Sequence, residues 1–95
     1  MNKLSKEKYL ELKYFCRQYN RKKAMQNNNT AEGRKAKIDV LLMKKIAADV
    51  APGLDKYLIE NIATGKAWRQ INAPCGERQF YEARKKFFEK LSEVR

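Results

Sequence analysis

The chain has 95 residues, enough for a single domain with one modest core. Its 22 Lys and Arg against 11 Asp and Glu give a formal net charge of +11, which predicts attraction to polyanions, either nucleic acid or an anionic membrane surface. A hydrophobic fraction of 43% argues against a disordered basic tail, and no apolar stretch approaches the roughly 20 residues of a membrane-spanning helix.

The uneven distribution of charge along the chain predicts which segments contact a polyanion. Residues 1–29 carry a net charge of +6 and residues 66–95 a net charge of +4, whereas residues 51–65 carry −1. The two ends are therefore predicted to contact the polyanion.

Cys16 and Cys75 are far apart and no His is present, so no zinc set is predicted. We expect reduced core thiols in a cytoplasmic protein, in keeping with the lack of a secretory signal peptide.

The first predicted helix covers residues 5–26, with Ser5 as its N-cap. One apolar stripe follows helical spacing, namely Leu12, Phe15, Cys16 and Tyr19. A basic cluster lies near the end of the helix, namely Arg17, Arg21, Lys22 and Lys23. Three alternatives stay open: this helix packs on its own domain, pairs with a second copy to form a homodimer, or places its basic cluster on a phosphate backbone.

Two further helices are predicted in the middle of the chain. Thr30 is predicted to cap a helix over 31–50, the most buried of the chain. Its inward stripe is predicted to comprise Ile38, Leu41, Leu42, Ile46 and Val50, widened by Val40, Met43 and Ala47. Pro52 and Gly53 end this helix, and a shorter helix over 54–64 is predicted to be followed by Gly65 in a left-handed conformation.

The C-terminal part predicts a short helix over 66–71, a turn, and a last helix over 77–93. Trp68 is interpreted as a core anchor, and the two adjacent rings of Phe87 and Phe88 are not expected to fit one core stripe together. No strand pattern is present. We therefore predict an all-α fold, a compact bundle of four to five helices with a C-terminal helix-turn-helix. It would form one domain over 1–95, with two long helices in 1–53 and the helix-turn-helix part in 54–95.

The outward side of the last helix has the residue types that read DNA. It combines long polar side chains with one aromatic ring, namely Glu77, Arg78, Gln79, Tyr81, Glu82 and Lys85. Arg can pair with guanine and Gln with adenine, and Glu can accept from cytosine. Arg84 and Lys86, further along, and Arg69, on the short preceding helix, are predicted to contact phosphates. Tyr81 is expected either to contact the groove or to pack with its hydroxyl outward.

The segment 58–91 resembles the C-terminal helix-turn-helix of phage-encoded transcription regulators of Gram-positive bacteria, of the ArpU and RinA type, and more remotely region 4 of sigma factors. The shared elements are Gly65, Ile71, Cys75, Phe80 and Tyr81, followed by a basic run over 84–86. The turn "NAPCG" is shorter than the usual form and contains Pro74. The resemblance implies a cytoplasmic regulator of phage or mobile-element origin that binds double-stranded DNA. Because a single helix-turn-helix of this size usually binds weakly alone, a second copy or RNA polymerase is expected as a further partner.

The alternative function is a protein-interaction module of phage or mobile-element origin that binds a host polymerase, replication or defence protein through its basic surface. An enzyme is not predicted, because the chain has no His, no Gly-rich phosphate loop and no cluster of carboxylates or cysteines. Accordingly, no cofactor, metal, small-molecule substrate or membrane partner is predicted.

Overall fold

A computed structural model describes residues 4–95 and consists of helices joined by turns. The helices in this part are α1 Lys6–Arg17, α2 Tyr19–Met25, α3 Ala31–Val50, α4 Asp55–Thr64, α5 Trp68–Ile71 and α6 Glu77–Val94. Between residues 4 and 95 there is no strand, which confirms the all-α prediction. The predicted domain begins at residue 1, and residues 1–3 lie outside the described part.

The first predicted helix is two helices. Its N-cap is confirmed, because Ser5 Oγ accepts a hydrogen bond from the Lys8 N–H at 3.1 Å. The break lies at Gln18 (φ −89°, ψ 4°), whose N–H bonds to the Phe15 carbonyl at 3.2 Å, one residue tighter than the α-helical pattern. The tight turn redirects α2 onto α3, while Tyr19 stays in the buried stripe.

Helix α3 begins and ends as predicted, and its predicted buried face is confirmed in part. Thr30 Oγ1 accepts from the Gly33 N–H at 3.0 Å, and Ala51 to Gly53 form the turn after Val50. Ile38 and Leu41, predicted to be inward, are 65% and 53% exposed. The buried residues are Ala36, Val40, Met43, Ile46 and Ala47, of which all but Ala36 were predicted to be in the stripe or to widen it. The buried face is therefore centred on the residues predicted to widen the stripe, which leaves Ile38 and Leu41 exposed.

The α4–α5 segment has the predicted glycine turn and a shorter α5. Gly65 has φ +79°, and its N–H bonds to the Asn61 carbonyl at 2.8 Å, which ends α4. Helix α5 is a single turn that begins at Trp68, because Gln70 Oε1 accepts from the Ala67 N–H at 2.9 Å. Ile71 is buried and joins the core.

Helix α6 is buried along a wider face than predicted. Phe87 and Phe88 are 0% and 1% exposed, so both rings pack in the core, although one stripe was not expected to hold both of them well. Both fit because α6 contacts α1 and α3 as well as α4. The Phe88 ring packs edge-on against the rings of Phe87 and Tyr9, with 5.4 Å and 5.2 Å between the ring centres. The wide inner face fixes the rotation of α6 about its axis, and therefore which residues face outward.

Candidate nucleic-acid interface

Most of the residues predicted to read DNA lie on the outward side of α6. Opposite Phe80, Phe87 and Leu91, the structure exposes Glu77, Arg78, Gln79, Tyr81, Glu82, Lys85 and Lys86. We call these seven residues the α6 outer face. Helical spacing divides it, with Arg78 and Lys85 along one flank and Gln79 and Lys86 along the other. Glu82 lies between the two flanks.

The second flank borders a groove. Gln79, Glu82 and Lys86 line an open groove of about 220 Å³ together with the α3–α4 turn, from Val50 to Leu54. The Arg78 flank does not line this groove. The Arg78 guanidinium reaches Glu82 Oε1 at 3.4 Å on the surface. Exposed ion pairs of this kind stabilise weakly, so Arg78 can exchange this partner for another at little cost.

Hydrogen bonds hold the start of α6 against α5. The Trp68 indole Nε1–H donates to the Cys75 carbonyl at 3.0 Å, across the turn between the two helices. The Trp68 backbone N–H donates to Tyr81 Oη at 3.3 Å, so this hydroxyl is turned towards α5 and not outward. The Tyr81 ring meets Phe80 edge-on at 5.5 Å. The first two turns of α6 are therefore positioned by α5 and by the buried side of the same helix, and Arg69 lies exposed beside them.

Arg84 has its partners inside the fold. Its Nε donates to Asn61 Oδ1 at 2.8 Å and its Nη1 to Tyr9 Oη at 2.9 Å, while the guanidinium lies 4.9 Å from the centre of the Phe88 ring. Asn61 is itself buried and donates through Nδ2 to the Lys66 carbonyl at 2.7 Å. Arg84 therefore connects α6 to α1 and α4. Tyr9 and Asn61 position α6, and local sequence patterns gave no sign of this role.

The basic cluster on α1 and α2 is divided by the fold. The Arg17 guanidinium lies against Gly65 in the α4–α5 turn. A Cβ added at Gly65 would lie 2.7 Å from Arg17 Cζ. Arg21 and Lys23 are exposed on α2. Lys22 forms an ion pair with buried Asp39 at 2.8 Å and lies 3.9 Å from the centre of the Phe15 ring. Arg17 is thus the member of this cluster that lies beside the turn leading to α5 and α6.

The two cysteines differ in burial, since Cys16 is buried and Cys75 is half-buried. Cys16 and Cys75 are free, and burial raises the pKa of the Cys16 thiol to about 12, well above its usual 9.0.

Within residues 4–95 no group of three His, Cys, Asp or Glu side chains lies close enough to hold a metal ion. No helix of the same range is both long and apolar enough to cross a membrane.

Comparisons of the chain with known protein families, with curated proteins and with solved structures found no match. The geometry of the α6 outer face and its supports is therefore the basis on which a function can be argued.

Proposed function

We propose that this protein is a cytoplasmic, sequence-specific DNA-binding transcription regulator of phage or mobile-element origin. In this proposal α5, the turn 72–76 and α6 act as a helix-turn-helix, and residues 77–86 enter the major groove. The observation that carries it is the α6 outer face, a set of exposed long polar side chains on a helix whose other side is locked into the core.

The residue types on this face support base reading. Arg78 would pair with guanine, Gln79 with adenine, and Glu82 would accept from the amino group of cytosine. All three lie in the first two turns of α6, close to the α5–α6 turn. Because a recognition helix reads bases mainly with its N-terminal residues, this placement favours direct readout over a purely electrostatic contact.

Surrounding cations would supply the phosphate contacts. Lys85 and Lys86 follow the base-reading turns, Arg69 is exposed on α5, and Arg17 lies at the α4–α5 turn. Arg84 and Lys22 were also predicted to contact DNA, and both have protein partners in the fold, Asn61 and Tyr9 for Arg84 and Asp39 for Lys22. Arg21 and Lys23 remain candidates for a longer DNA contact along α2.

The test is selection from a pool of random duplexes, followed by sequencing, at two salt concentrations. We expect one enriched motif whose information content falls in the Arg78→Ala variant, because a lost bidentate contact costs discrimination at one position, about 1–3 kcal/mol. Two inverted copies of the motif would indicate that two copies of the protein bind together.

Arg34→Ala is the matched control, because it removes the same charge from an exposed position on α3. It should leave the motif unchanged. Enrichment of no motif, with binding that collapses equally on all duplexes at higher salt, would contradict sequence-specific reading. An equal loss of specificity in Arg34→Ala and Arg78→Ala would show that net charge, not the α6 outer face, is responsible.

A further inference from the structure

An unpartnered apolar strip lies on α3, away from the core. Ile38 and Leu41 are 65% and 53% exposed, and they lie one turn apart on the same side of the helix. Four cations surround them at helical spacing, namely Arg34, Lys37, Lys44 and Lys45, all of which are exposed. We call these six residues the α3 outer face. Along this side of α3 the next acidic residue is Asp49, one turn beyond Lys45.

We propose that the α3 outer face binds an acidic amphipathic helix of another protein. Such a helix would place apolar side chains on Ile38 and Leu41 and would direct its carboxylates to the surrounding cations. This proposal does not depend on DNA binding, because it concerns a different helix and a different set of residues.

Charge and apolar area favour this occupant over the alternatives. A second copy would bring four cations against four, on a chain whose net charge is already +11. DNA has phosphates for the cations but offers little to two protruding aliphatic side chains. An anionic bilayer needs a wide apolar face, whereas the opposite side of α3 is committed to the core of the protein itself.

The probe is a set of three synthetic helical peptides of about 18 residues, or five turns. The first has a Leu stripe at helical spacing flanked by Glu. The second has the same composition with the Leu residues scattered around the helix, and the third keeps the stripe but replaces Glu by Gln. Binding is measured by fluorescence anisotropy, and the contact surface is mapped by amide chemical shifts of the isotope-labelled protein.

We expect the first peptide to bind at least about tenfold more tightly than either of the others, with shifts centred on residues 34–45. The double variant Ile38→Gln, Leu41→Gln should abolish this preference while its circular dichroism stays unchanged, because both side chains are exposed. Leu10→Gln is the matched control, since Leu10 is a leucine of similar exposure (49%) on α1. It should bind the first peptide as the unaltered protein does.

Four results would overturn the proposal. Equal binding of the first and second peptides would mean that charge alone attracts them. Equal binding of the first and third would mean that the partner need not be acidic. Vesicles containing phosphatidylglycerol that shift residues 34–45 when the peptides do not would assign the face to membranes. Self-association in sedimentation that the double variant abolishes would assign it to a second copy.

Discussion

Arg84 is a cation that the fold uses for its own stability. Its guanidinium bonds to residues 23 and 75 positions away in the chain. Replacing it by Met keeps an unbranched, largely apolar stem but leaves Asn61 Oδ1 and Tyr9 Oη without their donor. We expect Arg84→Met to lower the free energy of unfolding by about 1.5–3 kcal/mol, measured by urea denaturation. Lys85→Met, which removes an exposed neighbouring cation, should change it by less than about 0.5 kcal/mol, and equal effects would contradict the bracing role.

At Gly33, helix propensity and packing give opposite predictions for the stability of an alanine variant. An added Cβ would meet the backbone carbonyl oxygens of Asn28 and Met25, the latter at 2.9 Å. Gly33→Ala should therefore destabilise the protein by about 1–3 kcal/mol, although alanine is ordinarily the better helix former. Thermal unfolding measures the effect. Gly76→Ser is the control, because nothing lies within 4 Å of a Cβ at that position. A rise in Tm for Gly33→Ala would show that the loop before α3 can move aside.

The buried thiol of Cys16 makes the free energy of unfolding depend on pH in the alkaline range. Its thiol is fully buried, and burial raises its pKa to about 12. As pH rises above about 9, the unfolded chain loses this proton before the folded chain does. The free energy of unfolding is therefore unaffected below pH 9 and falls by up to about 1.4 kcal/mol per pH unit between 9 and 12. Burial also raises the pKa of Tyr19, which acts in the same direction.

Urea titrations at a series of pH values test this. Cys16→Ala should make the alkaline decline shallower, whereas Cys75→Ala, which removes the half-buried thiol, should leave its slope unchanged. A decline of equal slope in all three proteins would assign the alkaline sensitivity to other groups.

At the scale of elements, the α5–α6 turn depends on one indole. Trp68→Phe keeps a ring against the core but removes the hydrogen bond to the Cys75 carbonyl. We expect a loss of about 1 kcal/mol in stability and a local loss of amide protection in the first turns of α6 by hydrogen exchange. Tyr81→Phe removes only the 3.3 Å contact and should have the smaller effect. A uniform loss of protection over all helices in Trp68→Phe would contradict a local role for the indole.

At the scale of the whole molecule, the proposed DNA binding should weaken with salt, because phosphate contacts release condensed counterions. Four phosphate contacts, from Arg17, Arg69, Lys85 and Lys86, would give a slope of about −4 in a plot of log affinity against log salt. Lys86→Ala should make the slope shallower by about 1, measured by fluorescence anisotropy with a selected duplex. Lys35→Ala, an exposed cation on α3, should leave it unchanged. A slope near zero would contradict phosphate contacts altogether.

Sequence reasoning predicted the ends of helices better than it predicted their buried faces. Ser5, Thr30 and Gly65 are in the predicted capping roles because each depends on chemistry within a few residues. The break at Gln18 was missed, since a polar residue without a turn signature gives no warning. Both faces of α3 have apolar residues, so periodicity alone could not decide which one the neighbouring helices cover.

The candidate interface was predictable to a similar extent. The outward positions of α6 followed from its buried stripe, and the structure exposes them. The partners of Arg84 and Lys22 could not be foreseen, because Tyr9, Asn61 and Asp39 reach them only through the packing of separate helices. A basic residue predicted to contact phosphate can therefore also bond inside the fold, and only the tertiary arrangement reveals those partners.

Trp68 is the single tryptophan of the chain, and it lies against the α5–α6 turn. Indole emission excited at long wavelength therefore reports on this corner of the protein, while the far-ultraviolet dichroism averages over all the helices. A melt followed by both signals would show whether the corner opens before the remainder of the fold. Coincident midpoints would mean that the corner and the core melt as one cooperative unit.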